Sequence, residues 1–213
     1  MTIVLKRDGL GCIARECRGN SDVVVRDTRA AHPALQWLAR RLAAREAAAL
    51  VALAGARGVP ALRGFDGAVL ERSFIAGAPM HESRPAEPRY FADGLRLLRA
   101  LHRRGVAHND LAKEANWLVT PHGEAAIVDF QIAVVSRRRG RLFRRLAYED
   151  LRHWLKHKRT YLPERLTARQ RAVLEKPTLL TRAFRMLVKP PYRFLTRGML
   201  GWRERAGPAE RQW

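Results

Sequence analysis

The chain reads Val106-Ala107-His108-Asn109-Asp110-Leu111-Ala112-Lys113-Glu114-Ala115-Asn116 between two patterned segments. This stretch is polar and irregular, and it follows a run whose leucines recur at helical spacing. A hairpin pattern over residues 117–128 comes next, with a proline and a glycine in its turn, and Asp129 follows directly. Because the loop enters the hairpin at one end and Asp129 leaves it at the same end, we expect Asp110, Asn116 and Asp129 at one rim.

These three residue types suit phosphoryl transfer. In that chemistry a carboxylate accepts or orients the acceptor hydroxyl, while an amide and a second carboxylate hold magnesium against the nucleotide phosphates. The chain has only three asparagines, so finding Asn116 at this place is informative. The sequence lacks a Walker A motif, a G-x-S-x-G elbow, a paired C-x-x-C site and an H-E-x-x-H helix, which mark competing chemistries.

Apolar periodicity in the rest of the chain predicts an α+β domain, with strands first and helices mostly after them. The strand patterns cover 2–6, 22–26 and 68–75, and the helical patterns cover 34–54, 89–104, 142–158, 164–176 and 178–189. Residues 8–12 contain Gly9 and Gly11 and are typical of a turn.

The charge of the chain is high and unevenly distributed. The 213 residues include 41 Lys/Arg and 20 Asp/Glu, a net charge of +21. Residues 136–213 carry 22 Lys/Arg and six Asp/Glu, a net charge of +16, whereas residues 1–135 carry only +5. A near-balanced globular body and a strongly basic last third are therefore expected.

Several features of the sequence indicate in which cellular compartment the protein is expected. Its length suits one domain with a substantial core, and no apolar run reaches the length of a bilayer span. The first residues leave no room for a secretory signal, and Cys12 and Cys17 form neither a disulfide framework nor a zinc ligand set. We expect a cytoplasmic protein, soluble or peripherally bound.

The central stretch resembles the protein-kinase-like superfamily. His108-Asn109-Asp110 with Asn116 is similar to its catalytic loop, and Asp129-Phe130-Gln131 is similar to its D-F-G segment. The run over 98–110 is similar to that of the small bacterial lipopolysaccharide sugar kinases, the Kdo and heptose kinases, and of their RIO-type relatives. Arg45-Glu46 followed by Gly58-Val59-Pro60 also resembles theirs, so the resemblance covers residues 1–135.

The resemblance implies a compact kinase-like fold of two lobes that uses ATP and Mg²⁺. A small nucleotide-covering lobe would span 1–80, a helical lobe with the catalytic loop would span 81–176, and a basic amphipathic tail would span 177–213. If these residues act as their counterparts in the family do, Asp110 is the catalytic base and Asn116 and Asp129 are the magnesium ligands. The implied nucleotide-binding residues are Gly9, Gly11, Arg26 and Lys113, although the two glycines are equally compatible with a plain turn.

Three features depart from the family pattern. Asn116 lies six positions after Asp110, where the usual loop has five, so the loop needs a bulge. Gln131 replaces the glycine in the third position of the D-F-G segment. The phosphate-anchoring lysine is missing, since residues 1–135 contain only Lys6 and Lys113, and Arg26 takes its place.

Glu46 supports the kinase-like interpretation from the helix pattern itself. It projects on the same side as Leu35, Leu42 and Leu53, and a buried carboxylate must find a partner. In the kinase-like arrangement that partner is Arg26, on the predicted strand 22–26. The resemblance then implies that Arg26 and Glu46 are catalytic residues together with Asp110. Glu46 is also compatible with an edge position paired to a neighbouring arginine of its own helix. Similarly, Asp150 fits either a first-turn helix acid or an anchor beneath the catalytic loop.

Residues 178–203 mix basic residues with apolar ones, which is typical of an interfacial helix on an anionic membrane. A nucleic-acid surface is the competing interpretation, because charge alone favours any polyanion. Six arginines within 137–145 follow the magnesium segment, near the place where an acceptor would bind.

The sequence thus predicts ATP- and Mg²⁺-dependent phosphorylation of a hydroxyl on a lipid-linked sugar, such as a lipopolysaccharide core intermediate. The expected partners are ATP, a lipid-linked sugar or protein acceptor, and an anionic membrane at the cytoplasmic face of the inner membrane. The alternatives are a RIO-like protein serine/threonine kinase and a nucleotide-binding pseudokinase or anionic-surface scaffold. The sequence leaves the acceptor and the oligomeric state open.

Overall fold

A computed structural model describes residues 1–19 and 21–175. The first part of the chain forms a five-stranded antiparallel sheet with strand order β1-β2-β3-β5-β4. Its strands are β1 Thr2–Asp8, β2 Gly11–Arg18, β3 Ser21–Asp27, β4 Leu62–Phe65 and β5 Val69–Ser73. Between β3 and β4 run two 3-10 turns, Thr28–Ala30 and Pro33–Leu35, and helix α1, Gln36–Ala52.

Helices and short strand pairs make up the remainder of the described chain. In chain order they are β6 Ala78–Pro79, α2 Met80–Ser83, α3 Pro88–Arg103, β7 Val106–Ala107, the 3-10 turn Glu114–Asn116, β8 Trp117–Val119, β9 Ala125–Ile127, β10 Val134–Val135, α4 Arg141–Tyr161, the 3-10 turn Pro163–Arg165 and α5 Ala168–Glu175. Strand β8 pairs with both β6 and β9, and β7 pairs with β10. The architecture is α+β, as the sequence predicts.

Helix α1 packs on the sheet through small side chains. Ala43 and Ala47 are buried against Leu70 of β5, and the absence of bulky groups lets helix and sheet approach closely. The buried face of α1 contains Glu46 and, directly after the helix, Leu53, as predicted, but it differs from the prediction in the first half of the helix. Leu35 and Leu42 are only partly buried, whereas alanines at helical spacing line the contact.

The main core lies among α3, α4 and the β8–β9 hairpin. Trp117 and Trp154 are almost fully buried, with ring centroids 4.1 Å apart. The ring of Trp154 lies directly against Gly94 of α3, where an added Cβ would overlap it. This core fixes the position of the hairpin and therefore of the loop that leads into it.

Each predicted strand and helix within the described residues has a counterpart in the structure, whereas several short elements, among them α2, β6, β7 and β10, were not predicted. Strand β2 was expected to be a turn over part of its length, but only residues 9–10 turn and Gly11 already belongs to the strand. Strand β4 was not predicted. The pattern expected over 164–176 forms a 3-10 turn and the short helix α5.

Some expectations are not decided by this architecture. The predicted helix 178–189 and the tail 177–213 lie outside the described residues. The lobe boundaries at residues 80 and 176 stay predictions. Among the helices of residues 1–19 and 21–175, none is long and apolar enough to cross a membrane.

Candidate active site

The loop after β7 is held from below by Asp150. This carboxylate is fully buried in the middle of α4, so it is not the first-turn helix acid considered above. Its Oδ2 accepts the backbone N–H of His108 at 2.7 Å, and its Oδ1 accepts that of Asn109 at 2.9 Å. His102 Nε2 lies 3.3 Å from the same carboxylate. Asp150 is thus the anchor of the loop, in line with the alternative that the resemblance suggested.

His108 ties the loop to the segment that follows the hairpin. Its Nε2 donates to the carbonyl of Val128 at 3.0 Å, while its Nδ1 accepts the backbone N–H of Asp110 at 3.3 Å. The ring also packs against Phe130, with centroids 4.6 Å apart. Because both ring nitrogens make contacts to the backbone, His108 shapes the loop.

The amide of Asn116 meets the carboxylate of Asp110 directly. Its Nδ2 donates to the Asp110 carbonyl at 2.9 Å and to Asp110 Oδ2 at 3.1 Å. The 3-10 turn Glu114–Asn116 directly precedes β8, and with it the Asn116 amide reaches Asp110 across the six-residue spacing. Buried Glu114 accepts the hydroxyl of Tyr161 at 2.8 Å, which holds this turn against α4.

Lys113 lies on the same oxygen of Asp110, with Nζ 3.0 Å from Oδ2. Burial raises the pKa of the Asp110 carboxyl above its usual value, and Lys113 only partly offsets that effect. A raised pKa makes the carboxylate a stronger proton acceptor than an exposed aspartate. The structure thus brings the Lys113 side chain to the Asp110 carboxylate, while the role of Lys113 in nucleotide binding stays a prediction.

Asp129 leaves the hairpin with a left-handed backbone, φ 68°. Its Oδ1 accepts Gln131 Nε2 at 2.6 Å and lies 3.8 Å from Arg26 Nη2. Burial alone would raise the pKa of the Asp129 carboxyl, but Arg26, the Gln131 hydrogen bond, Lys113 and His108 together lower it. Gln131, the departure from the family pattern, therefore helps to keep Asp129 ionised.

Asn116 and Asp129 offer ligands that suit magnesium. The backbone N–H of Val128 donates to the Asn116 carbonyl at 3.0 Å, so Asn116 and the residue before Asp129 lie side by side at one end of the β8–β9 hairpin. Asn116 uses its amide nitrogen on Asp110, which leaves the side-chain oxygen for a metal. Residues 1–19 and 21–175 hold no cluster of three or more His, Cys, Asp or Glu that would form a metal cage. Magnesium needs no such cage, since it takes one or two protein oxygens and completes its shell with phosphate and water.

Arg26 and Glu46 meet under the sheet. Arg26 Nε lies 3.2 Å from Glu46 Oε2, and Glu46 is fully buried. The alternative of an edge carboxylate paired within its own helix is therefore wrong. Arg45 instead donates to the carbonyl of Ala133 at 3.3 Å, beyond the Asp129 segment.

Arg72 is a member of this cluster that the sequence analysis missed. Its Nε lies 3.1 Å from Glu46 Oε1, and the residue is nearly as buried as Arg26. The sequence did contain a signal for Arg72. It lies two residues after Leu70 on the predicted strand 68–75, so the two side chains face the same side of the sheet. Only the pairing of β5 with β3 shows that Arg26 lies on this same side of the sheet.

The two glycines of the β1–β2 hairpin lie close to neighbouring segments of the chain. Gly11 has φ 122°, and a Cβ there would overlap the carbonyl oxygen of Asp27 on β3. A Cβ at Gly9 would press on Leu35 at 3.3 Å. The positive φ and the backbone contact account for Gly11, whereas Gly9 meets only the end of a flexible side chain, and the phosphate-covering role of both stays a prediction.

Comparison with known proteins gives a partial similarity. A segment of 65 residues is 42% identical to "Serine/threonine-protein kinase grp" of Drosophila melanogaster. The segment covers 30% of this chain and spans 12% of the length of that kinase. No family model matches the chain. The similarity indicates a kinase-like protein and supports a phosphotransferase, without pointing to a sugar acceptor.

Proposed function

We propose that this protein transfers the γ-phosphoryl group of ATP, with Mg²⁺, to a hydroxyl group. The observation that carries the proposal is the contact between Asp110 and Asn116 on a loop that Asp150 anchors. Asp129 follows strand β9 at the same end of the hairpin. Phosphoryl transfer depends mainly on positioning and charge, and this arrangement supplies both. The partial similarity to a serine/threonine kinase supports the same reaction class.

Each residue of the site has a distinct task in this reaction. Asp110 orients the acceptor hydroxyl and takes its proton, which its raised pKa favours. Asn116 and Asp129 supply the oxygens for Mg²⁺, which would neutralise the phosphate charge when bound. Arg26 holds the phosphates in place of the usual lysine, and buried Glu46 fixes the guanidinium.

For the acceptor we propose a lipid-linked sugar that carries negative charge, such as a lipopolysaccharide core intermediate. Support comes from the basic surface, defined as the arginines of residues 137–145. All six are exposed, and within the described ranges none has a carboxylate partner. Leu142 among them is 62% exposed, so this surface combines charge with an apolar group. The second candidate is a protein serine/threonine kinase, which the Drosophila similarity favours.

One transfer experiment separates these functions. Labelled γ-phosphate from ATP is offered in parallel to lipopolysaccharide, to a protein extract and to RNA-bound extract. Label in lipopolysaccharide supports the sugar kinase, and label in protein supports the protein kinase. Absence of transfer to any acceptor, with ATP still bound, would leave a pseudokinase or scaffold as the function.

The magnesium assignment is tested by calorimetry. Asp129→Ala should abolish the Mg²⁺-dependent part of ATP binding, because the remaining ligand Asn116 is neutral and weak. Asp66→Asn is the control, since Asp66 lies in the exposed β4–β5 turn and accepts only local backbone N–H groups. Unchanged magnesium dependence in Asp129→Ala would count decisively against the metal site.

We also propose that the chain binds an anionic membrane through residues 178–203 and the basic surface together. Vesicle binding should then need basic and apolar residues, with a salt-sensitive and a salt-resistant part. The variants are Arg141→Gln with Arg144→Gln, and Phe194→Ser with Leu195→Ser and Trp202→Ser. Equal vesicle binding by wild type and the apolar variant would remove membrane insertion, and a steep linear fall of log affinity with log salt would favour nucleic acid.

A further inference from the structure

The buried carboxylate of Glu46 has one guanidinium on each of its oxygens. Arg26 Nε lies 3.2 Å from Oε2, and Arg72 Nε lies 3.1 Å from Oε1. The two arginines share one face of the sheet, because Arg26 pairs with Leu70 and Arg72 pairs with Val24 in neighbouring strands. Glu46 thus sits between two cations rather than in a simple ion pair.

One carboxylate cannot balance two buried guanidinium groups, and arginine does not lose its charge. The second acid within reach is Asp129, 3.8 Å from Arg26 Nη2. Arg26 is therefore shared between Glu46 and Asp129. Arg72, by contrast, has Glu46 as its charge partner within residues 1–19 and 21–175.

The contacts within this cluster are electrostatic and poorly directed. Both oxygens of Glu46 and Nε of Arg26 are buried without a partner in hydrogen-bond geometry among the described residues. A hydrogen-bonded fork would engage two guanidinium nitrogens on the carboxylate, whereas the single contact through Nε leaves the Nη groups of Arg26 to meet another anion. Arg26 already uses Nε toward Glu46, while its Nη2 is directed toward Asp129.

We propose that Arg72 is a positioning residue that holds Glu46 so that Arg26 can bind the nucleotide phosphates. The inference rests on the proposed function and adds a part to the same site. With Arg26 as its one cation, Glu46 would draw the whole guanidinium toward itself and away from the phosphates. Arg72 holds one oxygen of Glu46, so Arg26 stays on the other oxygen through Nε while its remaining nitrogens meet the phosphates. Arg72 therefore raises ATP affinity without touching ATP.

The first test is ATP affinity measured by calorimetry in the presence of Mg²⁺. Arg72→Met keeps the length of the side chain but removes its charge, and it should weaken ATP binding about tenfold, or about 1.4 kcal/mol. Turnover at saturating ATP should change less than affinity. Arg72→Lys keeps the charge and should retain most of the affinity. The control is Arg63→Met, an exposed arginine of the same sheet, which should bind ATP as wild type does.

The second test asks whether Arg72 acts through Glu46. In a Glu46→Gln background there is no carboxylate to hold, so Arg72→Met should cause no further loss of affinity. Equal losses in both backgrounds would mean that Arg72 touches the nucleotide itself, and the proposal would be overturned. Wild-type affinity in Arg72→Met overturns it as well, while the proposed function stands.

Two further readouts keep the result unambiguous. A wild-type chain that binds no ATP overturns the proposed function and, with it, this role of Arg72. Circular dichroism reports whether each variant is folded at the assay temperature. If Arg72→Met does not fold, the ATP affinity of Arg72→Lys decides the matter. A loss of ATP affinity in Arg72→Lys as large as that in Glu46→Gln would contradict a role of Arg72 based on charge alone.

Discussion

Replacing Asp150 by alanine removes the acceptor that holds the catalytic loop. The carboxylate is fully buried, and it accepts the backbone N–H groups of His108 and Asn109 at 2.7 and 2.9 Å. No other element offers these two N–H groups an acceptor in the described structure, and the His108 N–H is buried away from solvent. The loop therefore loses two bonds at once, directly before Asp110.

The magnitude follows from the two bonds. A hydrogen bond to a charged group contributes about 1.5–3 kcal/mol, so Asp150→Ala should lower the free energy of unfolding by about 3–6 kcal/mol. That is a large part of the stability of about 5–15 kcal/mol that is usual for a domain. Asp150→Asn keeps one oxygen acceptor and should cost about half as much.

Urea unfolding followed by tryptophan fluorescence measures this cost, because Trp117 and Trp154 are buried in the core and Trp154 belongs to α4 itself. The matched control is Asp66→Ala, which also removes the acceptor of two backbone N–H groups, at 2.8 and 2.6 Å, but in an exposed turn. Water can replace the bonds there, so the control should cost less than about 1 kcal/mol. Equal costs at Asp150 and Asp66 would refute the reasoning that burial makes Asp150 an anchor.

Two further predictions concern packing and pH. Gly94→Ala should lower the free energy of unfolding by about 1–3 kcal/mol, because its Cβ overlaps the ring of Trp154. Gly64→Ala meets no neighbour within 4 Å, and equal costs at the two sites would argue against the tight contact. Burial lowers the pKa of His157 to about 4, so the stability it contributes is complete above its ordinary pKa of 6.5 and is lost as the pH falls toward 4. His157→Gln should flatten the pH dependence of urea unfolding in that window, and an unchanged slope would show that His157 is not the group responsible.

The candidate site could be predicted largely because its parts are close in sequence. Asp110 and Asn116 belong to one loop and Asp129 leaves the adjoining hairpin, so local pattern alone brings them together. The contact of Glu46 with Arg26 was also predictable, since a carboxylate on a buried helix face requires a cation.

The rest depends on tertiary contacts that local pattern does not encode. Strand β2 carries charged residues along its length, and β4 has four residues with a glycine, so neither shows a clear apolar alternation. The predicted stripe of α1 is correct at Glu46 and Leu53 but not at Leu35 and Leu42, because alanines meet the sheet there. Arg72 could be connected to Glu46 only through the pairing of β5 with β3.

The most direct test of phosphoryl transfer at this site is single-turnover transfer of labelled γ-phosphate by wild type and Asp110→Asn, with ATP affinity measured on the same samples. Asparagine keeps the shape of Asp110 but removes the charge and the proton acceptor. We expect transfer to fall by about 10²–10⁴-fold while ATP affinity stays close to that of wild type. Near-wild-type transfer by Asp110→Asn would contradict the assignment of the catalytic loop.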